Sequence, residues 1–262
     1  MVSELATNKR LPLCRSRLAA AFALVLGVMP SLVCAQTSTI ERQQILDGDG
    51  LGAAAGWKGA FRDSLRLLTI EHASRIAFQE KTRRELSGPF FEDYVRSVKM
   101  PETWDDGDRW PVNYVGHPIH GAAAGFIWLD NEAGSYDPKM GFSRRYWASR
   151  GRATAWVAAY SLQFEFGPLS EASIGNVGMR PHTTGWVDHV VTPLGALAFM
   201  AAEDALDRYL ITRLEAGTQS RALRAVFRMA LNPSRTFANF AEGRALDYRP
   251  ARPPARPSPG AE

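Results

Sequence analysis

The chain has 262 residues, 31 of them basic and 27 acidic, for a formal net charge of +4. Four basic residues and one acidic residue fall within the first 35 positions, so the rest carries 27 basic against 26 acidic groups. That near-neutral balance removes the argument for nucleic acid that a pI near 9.2 would otherwise make. About 190 residues remain once the compositionally biased ends are set aside, enough for one domain with a hydrophobic core.

Residues 1–35 have the parts of a secretory signal peptide. Lys9, Arg10, Arg15 and Arg17 form a basic start, Leu18 to Val28 an apolar stretch, and Val33 and Ala35 the small residues before a cut at Gln36. A lipoprotein signal ending at Cys34 is the rival reading; Val33 stands where such signals take Gly or Ala. Both cysteines, Cys14 and Cys34, lie inside the signal, so the mature chain is expected to lack disulfides, thiolate nucleophiles and zinc–sulfur sites. The expected location is the periplasm or cell envelope. Residues 36–56, polar and then Gly/Ala-rich, are expected to form a flexible linker, residues 57–246 a helical domain, and the Pro-rich residues 247–262 a disordered tail.

Within the body, helical periodicity dominates. Trp57, Phe61, Leu65, Leu68, His72 and Ile76 predict an amphipathic helix over 57–86, and a short helix follows over 90–99. Residues 100–111 form a loop dense in Trp and Asp. Residues 110–129 contain no Lys, Arg, Asp or Glu; Pro111, Asn113, His117, Pro118 and His120 argue against a membrane span and for a loop to His117 followed by a buried helix from Pro118 to Leu129. Gly121 and Gly125 then let another helix approach closely. Further helices are predicted over 143–166, 193–212 and 220–231, and Asn232-Pro233 reads as a cap and first-turn pair opening a last short one. The fold class is mostly α: a single bundle of about six to eight helices with long loops and disordered termini.

Three segments place ionisable groups in apolar surroundings: Asn113 to Gly121, Gln163 to Glu171, and Trp186 to Gly195. Proline is favoured in a first helical turn, so Pro118 and Pro193 predict that two apolar helices begin there. Side by side, those starts would gather His117, His120, Asp188 and His189 near free N–H groups, with Glu165 or Glu171 as a third partner and Asn113 and Thr192 as ligand-binding groups. In that pocket His117 would be the base, Asp188 its orienting carboxylate, and an anionic lipid phosphate the bound group. The structural alternative has His117 and His120 capping a helix through backbone carbonyls, Glu165 pairing with Arg144, Arg145 or Arg180, and His72 as a satisfied core histidine. No zinc signature, nucleophile elbow or nucleotide-binding glycine loop is present, so no metal or cofactor is expected. The basic side of the 220–231 helix is a solvated surface or a contact for anionic lipid headgroups.

The run from Trp104 to Asn239, with NYVGHPIHGA, YWASR, QFEFGPLSEASIGN, DHVVTPLG and LNPSRTFAN, resembles a family of exported bacterial proteins catalogued as a domain of unknown function with an Asn-x-x-x-His-Pro-x-x-Gly core. The resemblance implies an envelope protein and brings no reaction. A looser similarity is to VanZ-like envelope proteins, on His117 or His120 with Gly121, Glu165, and Asp188 with Gly195. The expected function is that of an exported envelope protein, periplasmic or membrane-surface associated, with no assigned reaction and an unknown protein partner. The alternatives are an acid/base hydrolase or transferase acting on an anionic envelope lipid, and an interaction domain for an outer-membrane assembly.

Overall fold

The computed structural model describes residues 52–86, 90–98, 101–132, 140–174 and 185–249. The signal sequence, most of the linker, Arg180 and the tail beyond Arg249 lie outside the described residues.

Helix α1 spans Gly52–Phe78, so it takes in residues 52–56. The single helix expected over 57–86 is two. Gln79 turns extended and separates α1 from α2, Glu80–Glu85. The break is stabilised from the far side: Arg83 Nη1 donates to the Ile76 and Ala77 carbonyls at 3.2 and 2.8 Å, capping the last turn of α1. Helix α3 covers Phe90–Ser97.

The uncharged stretch forms the centre of the fold. A turn of helix at Trp110-Pro111 passes through a π turn, Val112–Gly116, into α4, His117–Asn131. Helix α4 packs against α1, α5 (Arg144–Phe166), α6 (Trp186–Leu206) and α9 (Pro233–Ala241). Phe126, Ile127 and Leu129 are buried there, each stabilising the fold by about 1.5–3 kcal/mol relative to exposure. The small residues act as expected. A Cβ on Gly121 would lie 2.9 Å from Thr192 Cγ2, and one on Gly125 would lie 2.6 Å from Met200 Sδ. Gly195 on α6 reciprocates, admitting the Pro118 ring to within 2.6 Å of where its Cβ would stand. Among the described residues no helix is long and apolar enough to cross a membrane, and the one β pairing is an isolated Thr103–Gly185 bridge.

The two expected helix starts are not free N-termini. The His117 N–H donates to the Val112 carbonyl, because the chain is already helical before it. Pro193 sits inside α6, seven residues past its start. Trp186 N–H and Val187 N–H donate to the carbonyls of Thr103 and Trp104 at 2.9 and 3.0 Å, so the loop begins the helix well before the proline. A proline thus marks a helix start only where no tertiary contact begins the helix earlier.

Beyond α6 a π turn, Asp207–Ile211, leads to α7 (Thr212–Ala216), then α8 (Arg221–Leu231) and α9. Ser143 and Ser220 cap α5 and α8 with their hydroxyls. Asn232 does precede α9, but its side chain does not cap it. The Glu203 carboxylate accepts from Ser234 N–H and Arg235 N–H at 2.8 and 3.1 Å instead. Around this end lies a buried ionic cluster. Arg150 Nε donates to Asp204 at 2.9 Å, Tyr146 donates to the same oxygen, and Arg235 pairs with Asp130 over the Phe126 ring. Asn239 Nδ2 donates to the Leu246 and Tyr248 carbonyls, so the first residues of the expected tail are packed against α9.

Candidate functional site

The other end of α6, about 24 Å from Asp204 by helical rise, carries the second buried polar cluster. It is built from α1, the 101–109 loop, the π turn, α4, α5 and α6. In the π turn Asn113 is buried, residues 114–116 are exposed, and His117 is buried again. Both therefore face inward. Asn113 Nδ2 donates to Asp106 Oδ1 at 2.6 Å, and Asp108 N–H donates to the same oxygen at 3.0 Å. Gly107, with φ +87°, makes the tight turn that brings this amide round.

The Asp188 carboxyl is buried and lies near the Asp106 carboxyl, so its charged form is disfavoured by both burial and its neighbour. Two N–H donors hold Asp106 in place. Burial, and next the facing Asp106, push the Asp188 carboxyl up to about 8. His117 Nδ1 stands 3.7 Å from Asp188 Oδ1, beyond hydrogen-bond length but close enough for a small shift to join them. Burial, then His120 and Arg75, lower His117 to about 3. At neutral pH the pair is therefore neutral imidazole beside protonated carboxyl. This reverses the expected roles: Asp188 is suited to give a proton, and His117 is not suited to take one and hold it.

Glu165 is buried nearby on α5, and burial, then Glu171 and Asp188, hold its carboxyl well above the usual range. The arginine expected to pair with it is not Arg144 or Arg145, which lie at the opposite end of α5 about 30 Å away. The nearby cation is Arg75 of α1, which is ion-paired to Glu171 and lies over the Phe164 ring.

Among the described residues neither His117 nor His120 bonds a backbone carbonyl, so neither caps a helix that way. His120 Nδ1 is 3.2 Å from Glu71 Oε1, and Tyr160 donates to Glu71 Oε2 at 2.6 Å. His120 and His117 meet edge to face at 5.0 Å. His72 is the buried core histidine expected, bonded through Nε2 to the Leu169 carbonyl at 3.1 Å and stacked on Phe164. His189 points elsewhere. Its ring stacks on Phe166 at 5.1 Å, and it forms no bond or ion pair with the other candidate residues. Thr192 lies on α6 one turn beyond Asp188, packs its methyl against Gly121, and leaves Oγ1 buried without a hydrogen-bond partner among the described residues. The same is true of Asn113 Oδ1, His117 Nδ1 and Asp188 Oδ1.

The fold thus gathers His117, Asp188, Asn113 and Glu165, places His120 on the flank, and leaves His189 apart. Sequence reading missed Asp106, Glu71, Arg75 and Tyr160. Asp106 had a signal, lying in an acidic run between tryptophans. Glu71 and Arg75 had a weaker one, being a charged pair four apart on α1. Among the described residues no three His, Cys, Asp or Glu groups are arranged to hold a metal ion. Comparison with protein-family models, curated proteins and solved structures finds no match.

Proposed function

We propose that this is an exported cell-envelope protein whose working part is a buried acid–base site, in which a protonated Asp188 stands beside neutral His117. The reaction class is hydrolysis or group transfer assisted by proton donation from Asp188. The observation that carries this reading is the buried Asp188 carboxyl, 5% exposed, with His117 Nδ1 at 3.7 Å. A buried carboxyl near a second carboxyl keeps its proton, and a fixed protonated acid near neutral pH is what a leaving group needs.

Two features refine the substrate. Among the described residues the site gathers Asp106, Asp188, Glu165, Glu171 and Glu71 around Arg75, and neither expected helix start supplies free N–H groups. A neutral or cationic reacting group suits that lining better than the anionic phosphate expected from sequence. Trp104, Trp110, Tyr114 and Trp186 are exposed around the loop and the start of α6, with Trp104 Nε1 donating to the Tyr114 hydroxyl at 3.0 Å. Amphipathic aromatics in that position favour a membrane surface or an apolar-tailed substrate. The basic start, apolar stretch and small residues of positions 1–35 support the location.

An infrared-monitored pH titration tests the site. The difference between wild type and Asp188→Asn should contain a protonated-carboxyl carbonyl band that disappears with a midpoint near pH 8. A featureless difference spectrum refutes the protonated Asp188. Cell fractionation with N-terminal sequencing tests the location: the mature chain should begin at Gln36 and leave the cytoplasm, and a full-length cytoplasmic product refutes export.

A further inference from the structure

The polar group left unused by the Asp106–Asp188 pair is the set His120, Glu71 and Tyr160, on three different helices. Glu71 offers two carboxylate oxygens. Oε2 accepts from the Tyr160 hydroxyl at 2.6 Å, and Oε1 faces His120 Nδ1 at 3.2 Å. Burial and then Glu71 keep the Tyr160 phenol well above its ordinary range, so it remains a donor and fixes the carboxylate in place. A carboxylate facing Nδ1 selects the tautomer with the proton on Nδ1 and leaves Nε2 with its lone pair. No protein group among the described residues bonds that Nε2. The His120 side chain is 20% exposed, against 9% for His117.

We infer that His120 is the proton acceptor of this site, with Glu71 as the residue that positions it and Tyr160 as the anchor of Glu71. The inference rests on the acid role of Asp188 and completes it. His117 lies between the two arms, its ring 5.0 Å from that of His120 and its Nδ1 3.7 Å from Asp188. In a hydrolytic turnover a water proton passes to His120 Nε2 as the water oxygen bonds to the electrophilic centre. The bond to the leaving atom breaks, and that atom takes the proton of Asp188. The protein resets when His120 releases its proton and Asp188 regains one, so no net proton is gained. The titratable groups facing His120 are Glu71 and His72 on α1, His117 on α4 and Tyr160 on α5.

The test is 15N NMR of the histidine rings in the intact protein, together with the rate of modification of each histidine by diethyl pyrocarbonate. His120 should carry its proton on Nδ1 and react faster than His117 or His72. In Glu71→Gln one amide oxygen cannot serve both Tyr160 and His120. The tautomer ratio should shift toward Nε2–H by about tenfold, and His120 modification should slow to match. Tyr160→Phe preserves the side-chain volume and should give a smaller shift in the same direction, with unchanged amide spectra elsewhere, which separates the effect from misfolding. A wild-type His120 protonated on Nε2, or a ratio unmoved by Glu71→Gln, overturns the inference. The Asp188 infrared band is read on the same samples. Band present with the wrong tautomer defeats this inference alone; band absent defeats the acid reading and, with it, the division into two arms.

Discussion

Asp188→Asn should make the protein more stable at alkaline pH while removing its acid. The amide has the size of the carboxyl and carries no charge, so the geometry survives without a titrating proton. In the wild type the carboxyl moves from an ordinary 3.8 to about 8 on folding. A folded value above the unfolded one gives stability fully present below about pH 4, lost as pH rises through the folded value, and flat beyond it. At about 1.4 kcal/mol per pH unit, the whole span is worth at most about 6 kcal/mol. Local relaxation and water entry reduce that, and a change of about 2 kcal/mol is expected. Urea unfolding followed by tryptophan fluorescence from pH 4 to 9 measures it. Glu203 and Glu242 also carry raised carboxyls that owe nothing to Asp188 and cancel in the difference, whereas Glu165, raised in part by Asp188, falls in the variant and adds to the effect in the same direction. The variant's stability should fall less steeply than the wild type's between pH 4 and 8. Parallel curves would show that Asp188 titrates alike folded and unfolded, and the argument for a protonated Asp188 would fail.

Other substitutions test the frame that holds the site. Gly195→Ala should destabilise by about 2 kcal/mol, more than Gly125→Ala, because its Cβ meets the rigid Pro118 ring whereas Gly125 faces the flexible end of Met200; equal losses by chemical denaturation would contradict the packing. Arg150 is 0% exposed, so Arg150→Met should cost about 3–5 kcal/mol by stranding Asp204, and adding Asp204→Leu should recover part of that loss; a double variant no better than the single would refute the assignment. Ser143→Ala should cost about 1 kcal/mol through the lost cap on Tyr146 N–H, read as a small fall in unfolding midpoint without loss of helical signal.

What the sequence revealed follows the range of the forces involved. Ser143 and Ser220 cap helices through bonds to residues three positions on, and the local pattern placed those helix starts without naming the caps. The buried helix was legible because a long uncharged stretch with Gly121 and Gly125 has few other uses. Pro193 was misread because the start of α6 is set by Thr103 and Trp104, which no local pattern indicates. The break at Gln79 was missed because it depends on Arg83 reaching back to capping carbonyls. In the site, His117 and Asp188 stood out as ionisable groups in apolar runs. Their roles were misassigned because the proton's location depends on Asp106, placed by a loop, and on burial. Glu71 and Tyr160 are 89 positions apart, and periodicity says nothing at that distance.

The long-range anchoring of α6 also bears on the order of folding. The turn carrying Asp188 is held by carbonyls of the same loop that carries Asp106, and the His120 arm needs α1, α4 and α5 together. Each arm closes a long loop of chain, with its entropy cost incurred before the contact exists. Helices α5 and α8, capped from within, can form early, whereas the carboxyl pair forms only when residues 103–106 meet residues 186–188. Protonation of Asp188 is therefore a reporter of the last docking event. Its carbonyl band, followed during refolding, should appear after the helical signal has recovered.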